Sequence, residues 1–176
     1  MSRRRFHGKS WYLSLIAAAS ALVLTVGALA GSASGAGSAS PRCATSNLRL
    51  DFVPPVEAAT GHRLWNLTLR NVGPTTCHLK GFPGIGLLDS HARPINNTVI
   101  RVTGFAQHTV VLHPWQRAWF SFYYGVGAFC PGHSLSPYGI AVIPPNNSSG
   151  LRYYSGRVDL CSHPSVYPVR PSKSPL

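Results

Sequence analysis

Four carboxylates, Asp51, Glu57, Asp89 and Asp159, are all that the chain offers for acid–base chemistry. A general acid–base pair needs two carboxylates facing one space, or a histidine held by an orienting acid. Asp51 and Asp159 fall on the polar side of alternating stretches. Asp89 opens the turn Asp89-Ser90-His91, where an aspartate bonds the backbone that follows it. Glu57 lies in a Pro-rich loop. Solvated or turn-forming carboxylates account for all four. Seven histidines lie beyond residue 30 (His62, His78, His91, His108, His113, His133 and His163), and none pairs with another at ligand spacing. There is no Cys-x-x-Cys, no Gly-x-Ser-x-Gly elbow and no glycine loop leading a helix onto a phosphate. No metal or cofactor is expected, and His78 beside Cys77 reads as a surface residue. The first functional reading is a non-catalytic module. A secreted hydrolase-like enzyme, with a site assembled from distant residues, is the alternative.

The second group with chemistry is the cysteines Cys43, Cys77, Cys130 and Cys161. An even number in an exported chain points to disulfides. Four cysteines allow three pairings, and strand geometry selects one. If the strands after Cys43 and before Cys77 run antiparallel, the start of the first lies beside the end of the second. Likewise Cys130 leads into the stretch Tyr138 to Ile143, and Cys161 ends the strand that returns beside it. Cys43–Cys77 and Cys130–Cys161 are therefore expected, each closing a loop of about 30 residues.

The third group is aromatic and basic. From Arg117 to Tyr124 the residues alternate: Ala118, Phe120, Phe122 and Tyr124 form one face, and Arg117, Trp119, Ser121 and Tyr123 the other. The first face is the expected core side. An exposed ladder of Trp119 and Tyr123 beside Arg117, extended by Trp115, would stack on sugar rings or pair with an anionic polymer. The competing reading is that a loop covers this face, or that Arg117 and Trp119 make only a local cation–π contact.

These residues need a scaffold, and the pattern of breakers says which kind. From Arg42 onward, no stretch free of both Gly and Pro exceeds the 12 residues of Arg42 to Val53. Average helices run to about 11–12 residues and tolerate neither residue inside. Leu64 to Ile85 organises the rest: Trp65, Leu67 and Leu69 alternate with Asn66, Thr68 and Arg70. Asn71-Val72-Gly73-Pro74 then turns the chain toward Cys77, and Gly81-Phe82-Pro83-Gly84 bends it again. Further strands are expected at Leu48 to Phe52, Ile85 to Asp89, Thr98 to Thr103, Thr109 to Leu112, Arg117 to Tyr124, Tyr138 to Ile143 and Arg152 to Leu160. The expected fold is an all-β, immunoglobulin-like antiparallel β-sandwich of two layers over residues 42–164.

The flanks have other jobs. Residues 1–30 form an export signal: Arg3, Arg4, Arg5 and Lys9 precede an apolar run from Trp11 that ends Ala28-Leu29-Ala30, a pattern suited to cleavage after Ala30. That run is long enough to anchor the chain in a membrane if uncut. Ser2-Arg3-Arg4-Arg5-Phe6 is also similar to the twin-arginine motif. Residues 31–41 are a Gly/Ser/Ala linker, and the Pro-rich end, 165–176, is expected to be disordered. The 176 residues carry 16 Lys and Arg against 4 Asp and Glu, a formal charge of +12. Removing the four leader cations leaves +8, a surface suited to polyanions and to solubility. Export argues against nucleic acid as the partner. An anionic cell-envelope polymer, a carbohydrate or a protein remains. The sequons at Asn66, Asn96 and Asn146 read as chance occurrences.

Taken together, Leu69-x-Asn71-x-Gly73, Cys77-x-Leu79-x-Gly81-x-Pro83, Leu112-x-Pro114 and Ala118-x-Phe120 resemble an actinobacterial secreted family, the domain of unknown function DUF4232. The resemblance covers about Cys43 to Cys161. It implies an extracellular or lipid-anchored β-sandwich and no particular activity. Relatives usually carry Gly where this chain has Trp115, which argues against the usual tight turn there and exposes a large aromatic.

Overall fold

A computed structural model of the chain describes residues 39–130 and 132–173. Residues 1–30, expected to be an export signal, and most of the expected 31–41 linker lie outside the described residues. The described chain is all-β, with two short 3-10 turns and no α-helix. No helix among these residues is long and apolar enough to cross a membrane.

The strands run β1 (Leu48–Ala59), β2 (His62–Asn71), β3 (Cys77–Lys80), β4 (Gly84–Leu88), β5 (Pro94–Ile95), β6 (Ile100–Arg101) and β7 (Thr109–Leu112). They continue β8 (Arg117–Gly125), β9 (Ser134–Leu135), β10 (Gly139–Ile143), β11 (Leu151–Tyr154), β12 (Leu160–Cys161) and β13 (Ser165–Val166). A five-stranded sheet has the order β1-β2-β8-β13-β6, and a four-stranded sheet the order β11-β10-β4-β5. Two-stranded ribbons, β12-β9 and β3-β7, complete the set. All pairings are antiparallel except β13 with β6.

One core joins the two larger sheets. Leu67 and Leu69 of β2 and Phe120 and Phe122 of β8 belong to the same buried cluster as Leu87 of β4 and Ile140 and Val142 of β10. The alternation that makes β2 and β8 strands thus also puts Trp65, Leu67, Leu69, Phe120, Phe122 and Tyr124 on the buried face. Each such side chain contributes roughly 1.5–3 kcal/mol on burial. Trp65 anchors an aromatic group drawn from both larger sheets: its ring lies 5.6 Å from Phe52, 5.7 Å from Tyr124 and 6.3 Å from Tyr153 of β11.

Three expectations need correction. Glu57 is not in a loop: β1 runs on through Pro54 and Pro55, with a register shift between Val53 and Glu57. An edge strand tolerates proline, because its outward N–H groups have no ladder partner to lose. Arg152 to Leu160 is two strands, β11 and β12, separated by Gly156 at φ +79°. Most consequentially, the Pro-rich end is ordered through residue 173. Ser165 and Val166 pair with Tyr123 and Phe122, and Arg170 exchanges both backbone hydrogen bonds with Trp119 at 2.8 Å. Val166 and Val169 are fully buried. The prolines do not forbid this, since the segment lies along the outer edge of β8 and pairs only intermittently.

The disulfides are Cys43–Cys77 and Cys130–Cys161, each with Cα atoms 4.9 Å apart. β1 and β2 place Leu48 opposite Asn71. The Cys43 amide then donates to the His78 carbonyl at 3.0 Å, bringing the first pair together. Cys161 lies opposite Ser134 in the β12-β9 ribbon, so the second bridge closes through that ribbon and not along β10. Loops of 34 and 31 residues correspond to roughly 3–4 kcal/mol each in the chain-entropy description.

Candidate functional site

The outer face of β8 does not carry a continuous aromatic ladder. Arg117 is exposed, Trp119 and Tyr123 are half-buried, and Ser121 between them is completely buried. Arg170 accounts for the gap: its Nη2 donates to Ser121 Oγ at 2.7 Å. Ser121 Oγ donates in turn to Asn66 Oδ1 at 3.0 Å, and Asn66 Nδ2 donates to Glu57 Oε1 at 2.7 Å. Lys173 Nζ lies 3.1 Å from the same Glu57 oxygen. This polar chain crosses the face of the sheet from the C-terminal segment to the edge strand. Burial pushes the Arg170 guanidinium below the usual arginine range, opposed by the nearby Glu57 carboxylate. The expectation of one exposed ladder is corrected: the C-terminal segment divides it.

On one side of the division lies a groove of about 400 Å³, lined by Val111 and Leu112 of β7, by Arg117 and Trp119 of β8, and by Pro171. Trp115 stands on the turn between those two strands and is 68% exposed. The tight turn is present although residue 115 is not glycine. Trp115 adopts φ +69°, a left-handed conformation that costs a bulky residue about 1–3 kcal/mol. Its amide donates to the Asn71 carbonyl at 2.7 Å, and the Gln116 amide donates to the His113 carbonyl at 3.0 Å. Arg117 lies opposite Arg70 in the β2–β8 register. Arg70 is neutralised by Asp51 at 2.9 Å, whereas no described carboxylate pairs with Arg117. The one cation–π contact among the described residues is Arg101 over Phe82, so Arg117 does not lie over Trp119.

On the other side is a cleft of about 460 Å³ containing Glu57, His62, Arg63, Tyr123 and Tyr167. Here a histidine and a carboxylate share a concavity, which spacing in the sequence did not reveal. Both are engaged elsewhere. Glu57 is held by Asn66 and Lys173, and His62 Nδ1 lies 3.0 Å from the Thr60 carbonyl with its ring stacked on Tyr123 at 5.0 Å. Burial raises the Tyr167 hydroxyl above its ordinary range, with Tyr123 adding to the effect. The remaining carboxylates are also committed: Asp89 to Arg93, and Asp159 to Arg157. Among the described residues no three of His, Cys, Asp and Glu gather as a metal site would require.

The motif residues have structural explanations. Asn71 is completely buried. Its Nδ2 donates to the carbonyls of Thr75 and Leu112 at 2.8 and 3.0 Å, and its Oδ1 accepts from the Gly73 amide at 3.0 Å. A Cβ on Gly73 would stand 2.9 Å from the Asn47 side chain. Asn71-x-Gly73 is thus the knot that ties β2, the β7–β8 turn and the entry to Cys77. Arg170, Tyr167 and Lys173 were not legible as site residues, because prolines on both sides leave too few residues for a periodic signal.

No curated protein and no solved structure matches this chain. The family described as "Domain of unknown function (DUF4232)" matches residues 43–169, from the first bridged cysteine to the buried Val169. With well over half its length covered by that match, the chain belongs to the DUF4232 family.

Proposed function

We propose that the protein is a secreted, non-catalytic β-sandwich of immunoglobulin-like type that binds an anionic polymer or glycan of the cell envelope. Its binding surface is the groove between β7 and β8, with Trp115, Arg117 and Trp119 as contacts. The carrying observation is Trp115, a large aromatic that is 68% exposed and held at φ +69°. Glycine would satisfy that turn without strain. A tryptophan there costs stability and leaves its ring mostly in solvent, which a ligand stacked on the ring would explain. Arg117 supplies an uncompensated cation beside it. Export is supported by the basic and apolar leader and by two disulfides. The non-catalytic part rests on the 460 Å³ cleft, where the Glu57 carboxylate and the His62 ring are occupied by neighbours.

Isothermal titration against peptidoglycan fragments and teichoic-acid polymers, with Trp119→Ala beside the wild type, tests this reading. We expect saturable binding by the wild type and about tenfold weaker binding by the variant. Equal or absent binding in both proteins would overturn it.

A further inference from the structure

A third cleft, of about 410 Å³, opens where the end of β3, the end of β6 and the β10–β11 turn meet. It is lined by Lys80, Arg101, Thr103, Gln107 and Asn146, with Gly81 and Phe82 at its floor. Among the described residues, none of those five polar side chains enters a hydrogen bond or an ion pair with the protein. The contrast with the Glu57–His62 cleft is direct, since there the Glu57, His62 and Arg63 side chains are already engaged by the protein. All four carboxylates of the chain are ion-paired elsewhere, at Arg49 and Arg70, Lys173, Arg93 and Arg157. No carboxylate lines this cleft, so two cations share one concavity with no opposing charge.

The arrangement is built by the fold. Arg101 is positioned by Phe82, its Cζ 5.9 Å from the ring centroid. Gly81 adopts φ +101°, and a Cβ there would stand 3.1 Å from Gln107 Oε1. The absence of a side chain at 81 therefore lets Gln107 approach the floor. Asn146 turns at φ +60° beside Pro145.

We propose that this cleft binds a phosphate ester carried on a polyol or sugar. Lys80 and Arg101 present eight N–H donors between them. Thr103, Gln107 and Asn146 add hydroxyl and amide donors. The guanidinium fork fits a carboxylate and a phosphate alike, but a carboxylate has two oxygens to offer such a set, whereas a phosphate ester offers more acceptors and can carry two negative charges. The amide oxygens of Gln107 and Asn146 can accept from the hydroxyls of the carrier. A volume of about 410 Å³ exceeds what a lone phosphate fills. This site is independent of Trp115, Arg117 and Trp119.

The test is an amide-resolved NMR titration of the disulfide-intact full chain with glycerol 3-phosphate. Inorganic phosphate, poly(glycerol phosphate) and gluconate are run in parallel. We expect saturable shifts at Lys80, Gly81, Arg101 and Gln107 with glycerol 3-phosphate, and weaker binding of gluconate. Lys80→Gln and Arg101→Gln should each weaken binding by about tenfold, and the pair should abolish it. Both residues are exposed, so the folded spectrum should persist. Arg152→Gln, which removes one charge outside the cleft, should leave affinity unchanged. Tighter binding per phosphate by the polymer would assign the ligand to a polymer chain, and its absence to a small ester. Shifts that survive the double substitution, no saturable shifts at all, or equal weakening by Arg152→Gln would overturn the proposal.

Discussion

The amide of Trp115 donates to the carbonyl of Asn71 at 2.7 Å, across a turn that forces the tryptophan backbone into the left-handed region at φ +69°. The turn is therefore imposed by Asn71, and the side chain at 115 does not create it. Trp115→Gly should leave stability unchanged or raise it by up to about 1 kcal/mol, as relief of strain offsets the entropy that glycine loses. Urea unfolding checks this. A loss above about 1 kcal/mol would show that the indole packs against the protein.

Asn71 carries the opposite expectation. Asn71→Ala leaves the buried Leu112 carbonyl, the part-buried Thr75 carbonyl and the Gly73 amide without their partners. The cost should be about 3 kcal/mol or more. Asn71→Asp keeps the acceptor for Gly73 but cannot donate while ionised, so it should be similarly destabilising at neutral pH and partly recover in acid. Denaturant midpoints at two pH values distinguish the two variants. Equal midpoints for wild type and Asn71→Ala would contradict the assigned role.

Asp89 gives the clearest pH signature. Its carboxylate accepts from the Arg93 and His91 amides at 2.8 Å and pairs with the Arg93 side chain. The Arg93 backbone bond is the largest influence holding its carboxyl below the ordinary 3.8. A depressed folded value means the contribution is complete above 3.8 and disappears as pH falls through the folded value. The stability difference between wild type and Asp89→Asn should therefore be constant from about pH 7 to 5 and shrink below about pH 4. A difference that stays flat to about pH 2 would contradict it.

Ending the chain at Pro164 removes Val166 and Val169 from the core and leaves one edge of β8 without its partner. Two buried valines alone are worth roughly 3–6 kcal/mol. The shortened protein should unfold at a much lower urea concentration and self-associate through the exposed edge. An unchanged midpoint with monomeric elution would mean that the segment is dispensable.

Much of this architecture is written in local patterns. Trp65, Leu67 and Leu69 alternate with polar neighbours, and so do Phe120 and Phe122, which makes β2 and β8 readable without coordinates. The cysteine pairing follows once those strands are antiparallel. The C-terminal segment was not readable, because Ser165 to Arg170 alternates over too short a span and Pro164, Pro168 and Pro171 signal disorder. Its order comes from tertiary contacts: the buried valines, the Arg170–Ser121 bond, and Tyr167 packed 5.2 Å from Phe105. The candidate site was half legible for the same reason. Arg117, Trp119 and Tyr123 were identified on one face, but only the fold shows Arg170 separating Tyr123 from the other two. Lys80 and Arg101 lie 21 positions apart and meet only when β3 and β6 end at the same cleft.

The most direct measurement reads Trp115 itself. Trp65 is 5% exposed and Trp115 68%, so the long-wavelength edge of the emission belongs mainly to residue 115. In a Trp11→Phe, Trp119→Phe background, which removes the emission of the half-buried Trp119 in the same groove and keeps a ring there, titration with the envelope polymer that binds should shift this emission to shorter wavelength. Trp115→Phe in the same background should abolish the shift and weaken binding. A shift of equal size in both proteins, or saturable binding that leaves the emission unmoved, would contradict the assignment of the β7–β8 groove as the binding surface.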